Sequence, residues 1–249
     1  MFIKSTNSTN TLLKELLAKG EWREGERYIR AEYQTAGRGQ TGNGWESEEA
    51  KNLLCSILIS HQNSAFSNQT FYLNVAVSVA VQRMLGDDFT IKWPNDIYWC
   101  DKKVAGILIE NAIIGSEVKY SIAGIGLNVN QTEWLSNAPN PISLKQIDGV
   151  ERNIETLMAR LLEEIDKALK EDVWDYYKAH LYRREGFGPF VERPVSTVPT
   201  MNVQRDDVRG TKEQFLARIK DVLPTGEIVL EDKEGKERIY HFKQIRYIV

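Results

Sequence analysis

The sequence predicts an α/β chain in two parts, with helices and strands interleaved over residues 1–188 and a small β-barrel over 189–249. Three observations carry this. An amphipathic leucine stripe near the start and a long apolar-faced segment after residue 154 have helical spacing. Strand-length apolar runs lie between them. Beyond the glycine–proline patch Gly186-Phe-Gly-Pro189, short apolar segments recur between turns.

The first helix opens at Ser8–Asn10, because Leu12, Leu13, Leu16 and Leu17 share one face and Gly20 supplies a stop. Tyr28–Tyr33 alternates as a strand and runs into the glycine-rich segment Ala36–Trp45. Leu53–Ser60 has the continuous apolar character of a buried strand. Phe71–Leu85 is rich in valine and alanine and fits either type, but its length favours a helix ended by Gly86. Phe89–Trp93 is a strand broken by Pro94. Asp96–Trp99 and Lys103–Glu110 form a hairpin around Cys100-Asp101-Lys102, and Tyr120–Asn128 is a further strand. Residues 131–149 read as a long loop. Ile154–Arg184 reads as mostly helical, with Leu157, Leu161, Ile165 and Leu169 on one face. The segments 190–198, 215–222, 227–231 and 238–248 alternate with turns at Pro224-Thr-Gly226 and Lys233-Glu-Gly235.

Composition bounds the function. The net charge of −3 lacks the positive field that sequence-independent nucleic-acid binding needs. The two cysteines, Cys55 and Cys100, have no motif spacing and read as reduced thiols. Met1–Ser5 has no signal-peptide pattern, and the apolar runs at 53–59 and 104–109 are too short to cross a bilayer. The expected location is cytoplasmic, with no membrane partner.

Four segments can carry chemistry. Gly37, Gly39 and Gly42 spell G-x-G-x-x-G after a strand, but no helix opens on the loop, which argues against a dinucleotide-binding unit. Such a loop can still bring backbone N–H groups close to a phosphate or carboxylate, with Arg38 as a fixed cation. A solvated loop would use the same residues. Lys92-Trp-Pro-Asn-Asp96 offers Asn95 and Asp96 at a strand end, as a ligand holder or as a plain turn. In Lys102-Lys103-Val-Ala-Gly-Ile-Leu-Ile-Glu110, a lysine can lie along apolar surface and direct its ammonium into a site, while Gly106 permits close approach. Gly124-Ile-Gly-Leu-Asn128 suggests a strand approached closely by something else, with an amide able to read an adenine edge. His61, His180 and His241 are scattered, and no nucleophile elbow or P-loop is present.

Taken in order, Ser8-Thr-Asn10, Ala31–Trp45, Lys92–Asp96, Lys103–Glu110 and Gly124–Asn128 resemble the biotin–protein ligases over about the whole chain. The tail from Phe215 resembles that family's SH3-like domain. The resemblance implies a mixed-sheet catalytic domain related to class II aminoacyl-tRNA synthetases. It implies ATP-dependent biotinylation of a carrier lysine through biotinyl-5′-AMP, with Mg²⁺ accompanying ATP. By the resemblance, Ser8, Thr9 and Asn10 would bond the ureido end of biotin, and Gln34 would face it. Gly37, Arg38, Gly39 and Gln40 would lie along the carboxylate and phosphate. Lys103, with Arg38, would stabilise charge in the reaction, and Gly106 would line the biotin pocket. Trp45, Asn95, Asp96 and Asn128 would surround the nucleotide.

The loop departs from the family pattern, because Gln40 and Asn43 stand where arginines are common, which predicts either a looser grip on the adenylate or compensation by another residue. Because the Ser-Thr-Asn block begins within ten residues of Met1, the expectation is a ligase without operator binding. The partner would be the biotin carrier domain of a carboxylase; the acceptor, the metal ligands and a possible homodimer stay open. The rival readings are a lipoate or octanoate transferase of the same superfamily and a non-catalytic binding protein.

Overall fold

The computed structural model describes residues 1–40, 43–60, 71–115, 117–136, 138–193 and 214–248, apart from the side chain of Ile114. Gly42, His61 and residues 194–198, named above, lie outside the described residues. The chain divides into two compact units, Met1–Tyr182 and Arg183–Val249. The sequence places the division at 188/189, where the first strand of the second sheet begins at Gly188.

In the first unit, β1 (Phe2–Thr6) precedes any element expected from the sequence. It pairs in parallel with β2 (Tyr28–Gln34), and the Met1 ammonium donates to Tyr28 O. Helix α1 (Thr9–Lys19) starts after Ser8 and ends at Gly20, whose φ of 70° lets its N–H bond the carbonyls of Leu16 and Leu17. Strand β3 (Leu53–Ser60) and helix α2 (Tyr72–Leu85) follow, and Gly86 closes α2 as expected. β4 (Phe89–Lys92), β5 (Asp96–Trp99), β6 (Lys102–Ile114) and β7 (Glu117–Leu127) form an antiparallel run. Within the expected loop lies α3 (Leu144–Asp148), started by a reciprocal capping box between Ser143 and Gln146. The long segment from Ile154 splits into α4 (Ile154–Ala168) and α5 (Trp174–Ala179).

The sheet order is β1-β2-β3-β7-β6-β5-β4, and only the β1–β2 pair is parallel, so the sheet is mixed as expected. Side chains alternate across it. Ile29 meets Leu13 of α1 and Ile122 of β7, while its neighbour Arg30 reaches Glu155 of α4. Helix α1 therefore covers one face and α4 the other. Burial on both faces explains why β3 is apolar from Leu53 to Ile59 except at Ser56.

The second unit is a five-stranded antiparallel sheet: β8 (Gly188–Glu192), β9 (Gln214–Val222), β10 (Ile228–Asp232), β11 (Glu237–Tyr240) and β12 (Ile245–Tyr247). Its order is β11-β10-β9-β8-β12. Phe190, Ala217, Ile219, Ile228 and Leu230 are its buried core. Gly226 and Gly235, at φ of 104° and 80°, close the two turns seen in the sequence. Among the described residues, no helix is long and apolar enough to cross a membrane.

Candidate active site

The α1 face of the sheet has a bed without side chains. Gly106 of β6 lies opposite Gly126 of β7, and Leu108 lies opposite Gly124, which in turn faces Ser56 of β3. Residues paired directly across an antiparallel ladder share a face, so the three glycines open one patch. Other groups fill it. A methyl on Gly124 would sit 2.4 Å from Asn10 Oδ1. One on Gly126 would sit 2.4 Å from the Trp45 ring, and one on Gly106 would sit 2.8 Å from that ring and 3.1 Å from Lys103 Nζ. The two glycines of the fourth segment are there for close approach, and what approaches is Asn10 and Trp45.

A cleft of about 110 Å³ opens over this bed. Its walls bring together Ser8, Thr9, Asn10, Gln34, Arg38, Gly39, Gln40, Trp45, Asp96, Lys103 and Gly106, all named from the sequence. Gly37, Asn95 and Asn128 do not line it.

One group of cleft side chains is neutral and closely bonded, with the Glu110 carboxylate behind it. Thr9, Asn10 and Ser56 are buried. Gln34 Oε1 accepts from the Thr9 N–H (2.8 Å) and hydroxyl (3.1 Å). The Ser56 hydroxyl is the shared partner of Thr9 Oγ1 (2.7 Å) and Asn10 Oδ1 (2.5 Å). Asn10 Nδ2 donates to Glu110 Oε2 at 2.8 Å. Neither Ser56 nor Glu110 is marked as a site residue by the sequence. Ser56 sits in an apolar run with no motif of its own, and Glu110 was only the last letter of a block. Burial alone pushes the Glu110 carboxyl up, but hydrogen bonds from Lys14 and Asn10, with the charges of Lys14 and Arg38, hold it below the usual carboxylate range.

Two cations flank these groups, Lys103 beside Trp45 and Arg38 beside the Glu110 carboxylate that Asn10 also bonds. Lys103 Nζ is 2.8 Å from Asp96 Oδ1 and 5.7 Å from the centre of the Trp45 ring. The Arg38 guanidinium is 2.9 Å from Glu110 Oε2. Trp45 Nε1 is buried and has no hydrogen-bond partner among the described residues, a donor of the kind a bound group would satisfy.

The glycine loop is a self-braced hairpin. Trp45 N donates to Gly37 O, and Gly39 N donates to Asn43 O, both at 2.8 Å. The Gly39 N–H, expected to face an anion, is therefore committed inside the loop. Gly37 is needed because a Cβ there would meet the Trp45 carbonyl at 2.5 Å. Gln40 Nε2 donates to Asn95 Oδ1, and Asn95 Nδ2 donates to Asn74 Oδ1 on α2, both at 2.7 Å. Asn95 is thus a buried tie between loop and sheet rather than a group facing the cleft. Asn128 differs from expectation in the same way. Its amide donates to Lys103 O (3.3 Å) and Ile142 O (3.1 Å), which fastens the backbone under Lys103 and leaves no N–H for a base edge.

The model of the biotin/lipoate A/B protein ligase family matches residues 2–128. The chain is 30% identical over 196 residues to the bifunctional ligase/repressor BirA of Escherichia coli, covering 77% of this chain and 60% of that protein. It is 29% identical over 170 residues to the biotin–[acetyl-CoA-carboxylase] ligase of Mycobacterium tuberculosis, covering 66% of this chain and 61% of that one. The chain thus spans about three fifths of the length of these relatives. In fold it matches the biotin protein ligase of Aquifex aeolicus solved with biotin and ATP, at a TM-score of 0.72 and 22% identity, covering 100% of this chain and 98% of that one.

Proposed function

We propose, given that this chain belongs to the biotin/lipoate A/B protein ligase family, that it is an ATP-dependent biotin–protein ligase. The observation that carries this proposal is one cleft that sets neutral hydrogen-bonding groups (Thr9, Asn10, Gln34) together with two cations, Arg38 and Lys103. That polarity suits an acid whose far end is a neutral ureido ring and whose reacting end is an anion. The relatives named above point the same way.

In the first step, the biotin carboxylate attacks the α-phosphorus of ATP, forming the mixed anhydride and releasing pyrophosphate. Two anions must be brought together, and Lys103 and Arg38 offset the charge that builds on the phosphorus oxygens. Asp96 holds the Lys103 ammonium at the cleft wall while it waits, and Asn128 fixes the backbone behind it. In the second step, the amine of an acceptor lysine attacks the activated carbonyl, the C–O bond to phosphate breaks, and AMP leaves. Lys103 again meets the leaving charge. The acceptor would be the biotin carrier domain of a carboxylase, reached in the cytoplasm. Mg²⁺ would enter with the ATP phosphates. Carried by the phosphates, such an ion needs few protein ligands, and Asp96 at the cleft wall is a carboxylate that could supply one.

The test is pyrophosphate release from ATP, measured with biotin, lipoate or octanoate in turn. Release that depends on biotin, followed by label transfer to a carrier domain, is the expected result. Release with lipoate alone would make the chain a lipoate ligase, and no acid-dependent release would end the enzymatic reading.

A further inference from the structure

Glu110 stands on the cleft face of β6, directly opposite Ile122, and is 19% exposed. Three groups from two parts of the chain converge on its one carboxylate. Asn10 Nδ2 of α1 and Arg38 Nη2 of the glycine loop share Oε2, at 2.8 and 2.9 Å. Lys14 Nζ, one turn beyond Asn10 on the same helix, takes Oε1 at 2.6 Å. We propose that Glu110 is a positioning residue that links Asn10 to Arg38, orienting the Asn10 carboxamide for the neutral end of the substrate and competing with anionic substrate for Arg38.

The orientation follows from chemistry. An asparagine amide has two nearly equal orientations, and only hydrogen-bond partners choose between them. Glu110 is acceptor-only when ionised, so it takes the Nδ2 side at 2.8 Å, with the Leu108 carbonyl a more distant second acceptor at 3.4 Å, and Asn10 Oδ1 is then turned to Ser56 at 2.5 Å. The competition follows from charge. A guanidinium that already faces a carboxylate must leave it, or share it, when a phosphate arrives. The Arg38–Glu110 pair is 42% and 19% exposed, so the attraction to overcome is modest and the arginine can move. Lys14 moderates it, because a carboxylate that is part-neutralised by an ammonium holds the arginine less firmly.

The proposal rests on the ligase reading, and the test separates the two. Biotin-dependent ATP–pyrophosphate exchange is measured for the parent chain and for Glu110→Gln, Glu110→Ala, Lys14→Met, Arg38→Ala and the Glu110→Gln/Arg38→Ala pair, each first checked for folding by its melting temperature. Glu110→Gln keeps an acceptor for Asn10 but loses the charge, so it lowers the KM for ATP by about 2- to 5-fold and holds the KM for biotin within about twofold. Glu110→Ala removes both and raises the KM for biotin by about tenfold. In the Arg38→Ala background, Glu110→Gln leaves the ATP KM unmoved, as a pairwise coupling requires. The same ATP shift with and without Arg38, or an unchanged biotin KM in Glu110→Ala, overturns the proposal. If the Glu110 variants do not fold, Lys14→Met decides: a rise of about twofold in the ATP KM supports the proposal, and no change overturns it. A parent chain without exchange overturns the ligase reading, and this proposal with it.

Discussion

A single methyl at Gly124 should disconnect the neutral groups of the cleft from its chemistry. The Cβ of Gly124→Ala would lie 2.4 Å from Asn10 Oδ1 and 2.9 Å from both Cγ and Nδ2. Non-bonded carbon and oxygen atoms need about 3.4 Å or more, so the amide must retreat by about 1 Å. It has no slack, because Asn10 is 2% exposed and held on both sides by Ser56 and Glu110. A shift of that size breaks at least one bond, and losing a hydrogen bond to a charged acceptor costs about 1.5–3 kcal/mol. The KM for biotin should then rise about 10- to 100-fold, since each 1.4 kcal/mol is tenfold. The KM for ATP should stay within about threefold of the parent, because Asn10 is tied to Arg38 only through the shared Glu110 carboxylate. Backbone strain is not expected, as Gly124 is not among the positive-φ glycines. The assay is biotin-dependent pyrophosphate exchange at varied biotin and at varied ATP, with melting temperature as the folding control. A folded Gly124→Ala chain with an unchanged biotin KM would refute the close contact and the role given to Asn10.

Lys103→Ala should reduce kcat/KM for exchange by about 100-fold with little change in melting temperature, as expected for a donor aimed at developing charge; a rate within threefold of the parent would remove Lys103 from the chemistry. Asn128→Ala should lower stability by about 1–3 kcal/mol in urea titrations, because it takes the amide donor from the Ile142 carbonyl, while the Lys103 carbonyl keeps the Ile142 N–H. A native chain should react with one equivalent of a thiol reagent at pH 8 and with two after unfolding. Cys100 is exposed, whereas Cys55 is buried and burial pushes its thiol up to about 12. The Glu110 carboxyl lies below its ordinary value of 4.5, so its contribution to stability is complete above that pH and is lost as the pH falls through the folded value. Melting curves of the parent should therefore fall more steeply below pH 4.5 than those of Glu110→Gln; parallel curves would contradict the ion-pair network.

Side-chain periodicity made much of the scaffold legible. The leucines of α1, the largely apolar run of β3 and the hairpin at Cys100–Lys102 each follow from patterns within one element. β1 was not legible, because Phe2-Ile-Lys-Ser-Thr6 has no alternation and becomes a strand only by pairing with β2, which is more than twenty residues away in the chain. The break between α4 and α5 was also hidden, since the apolar stripe continues across it. For the site, the residue types were readable but their directions were not. Asn95 and Asn128 are the types a ligand would use, yet their amides are taken up by Gln40, Asn74 and the backbone of Lys103 and Ile142.

By itself the sequence determined that the chain is an α/β protein followed by a short-stranded unit, that its glycine loop opens no helix, and that Arg38 and Lys103 stand in ordered motifs. These depend on chain-local patterns and composition. Only the tertiary structure decided that Gly106, Gly124 and Gly126 open one bed, that Asn10 and Trp45 fill it, and that Ser56 and Glu110 join the site. The reason is physical. Which residues share a face across a sheet is set by strand register, and register between β3, β6 and β7 is fixed by contacts between segments far apart in the chain.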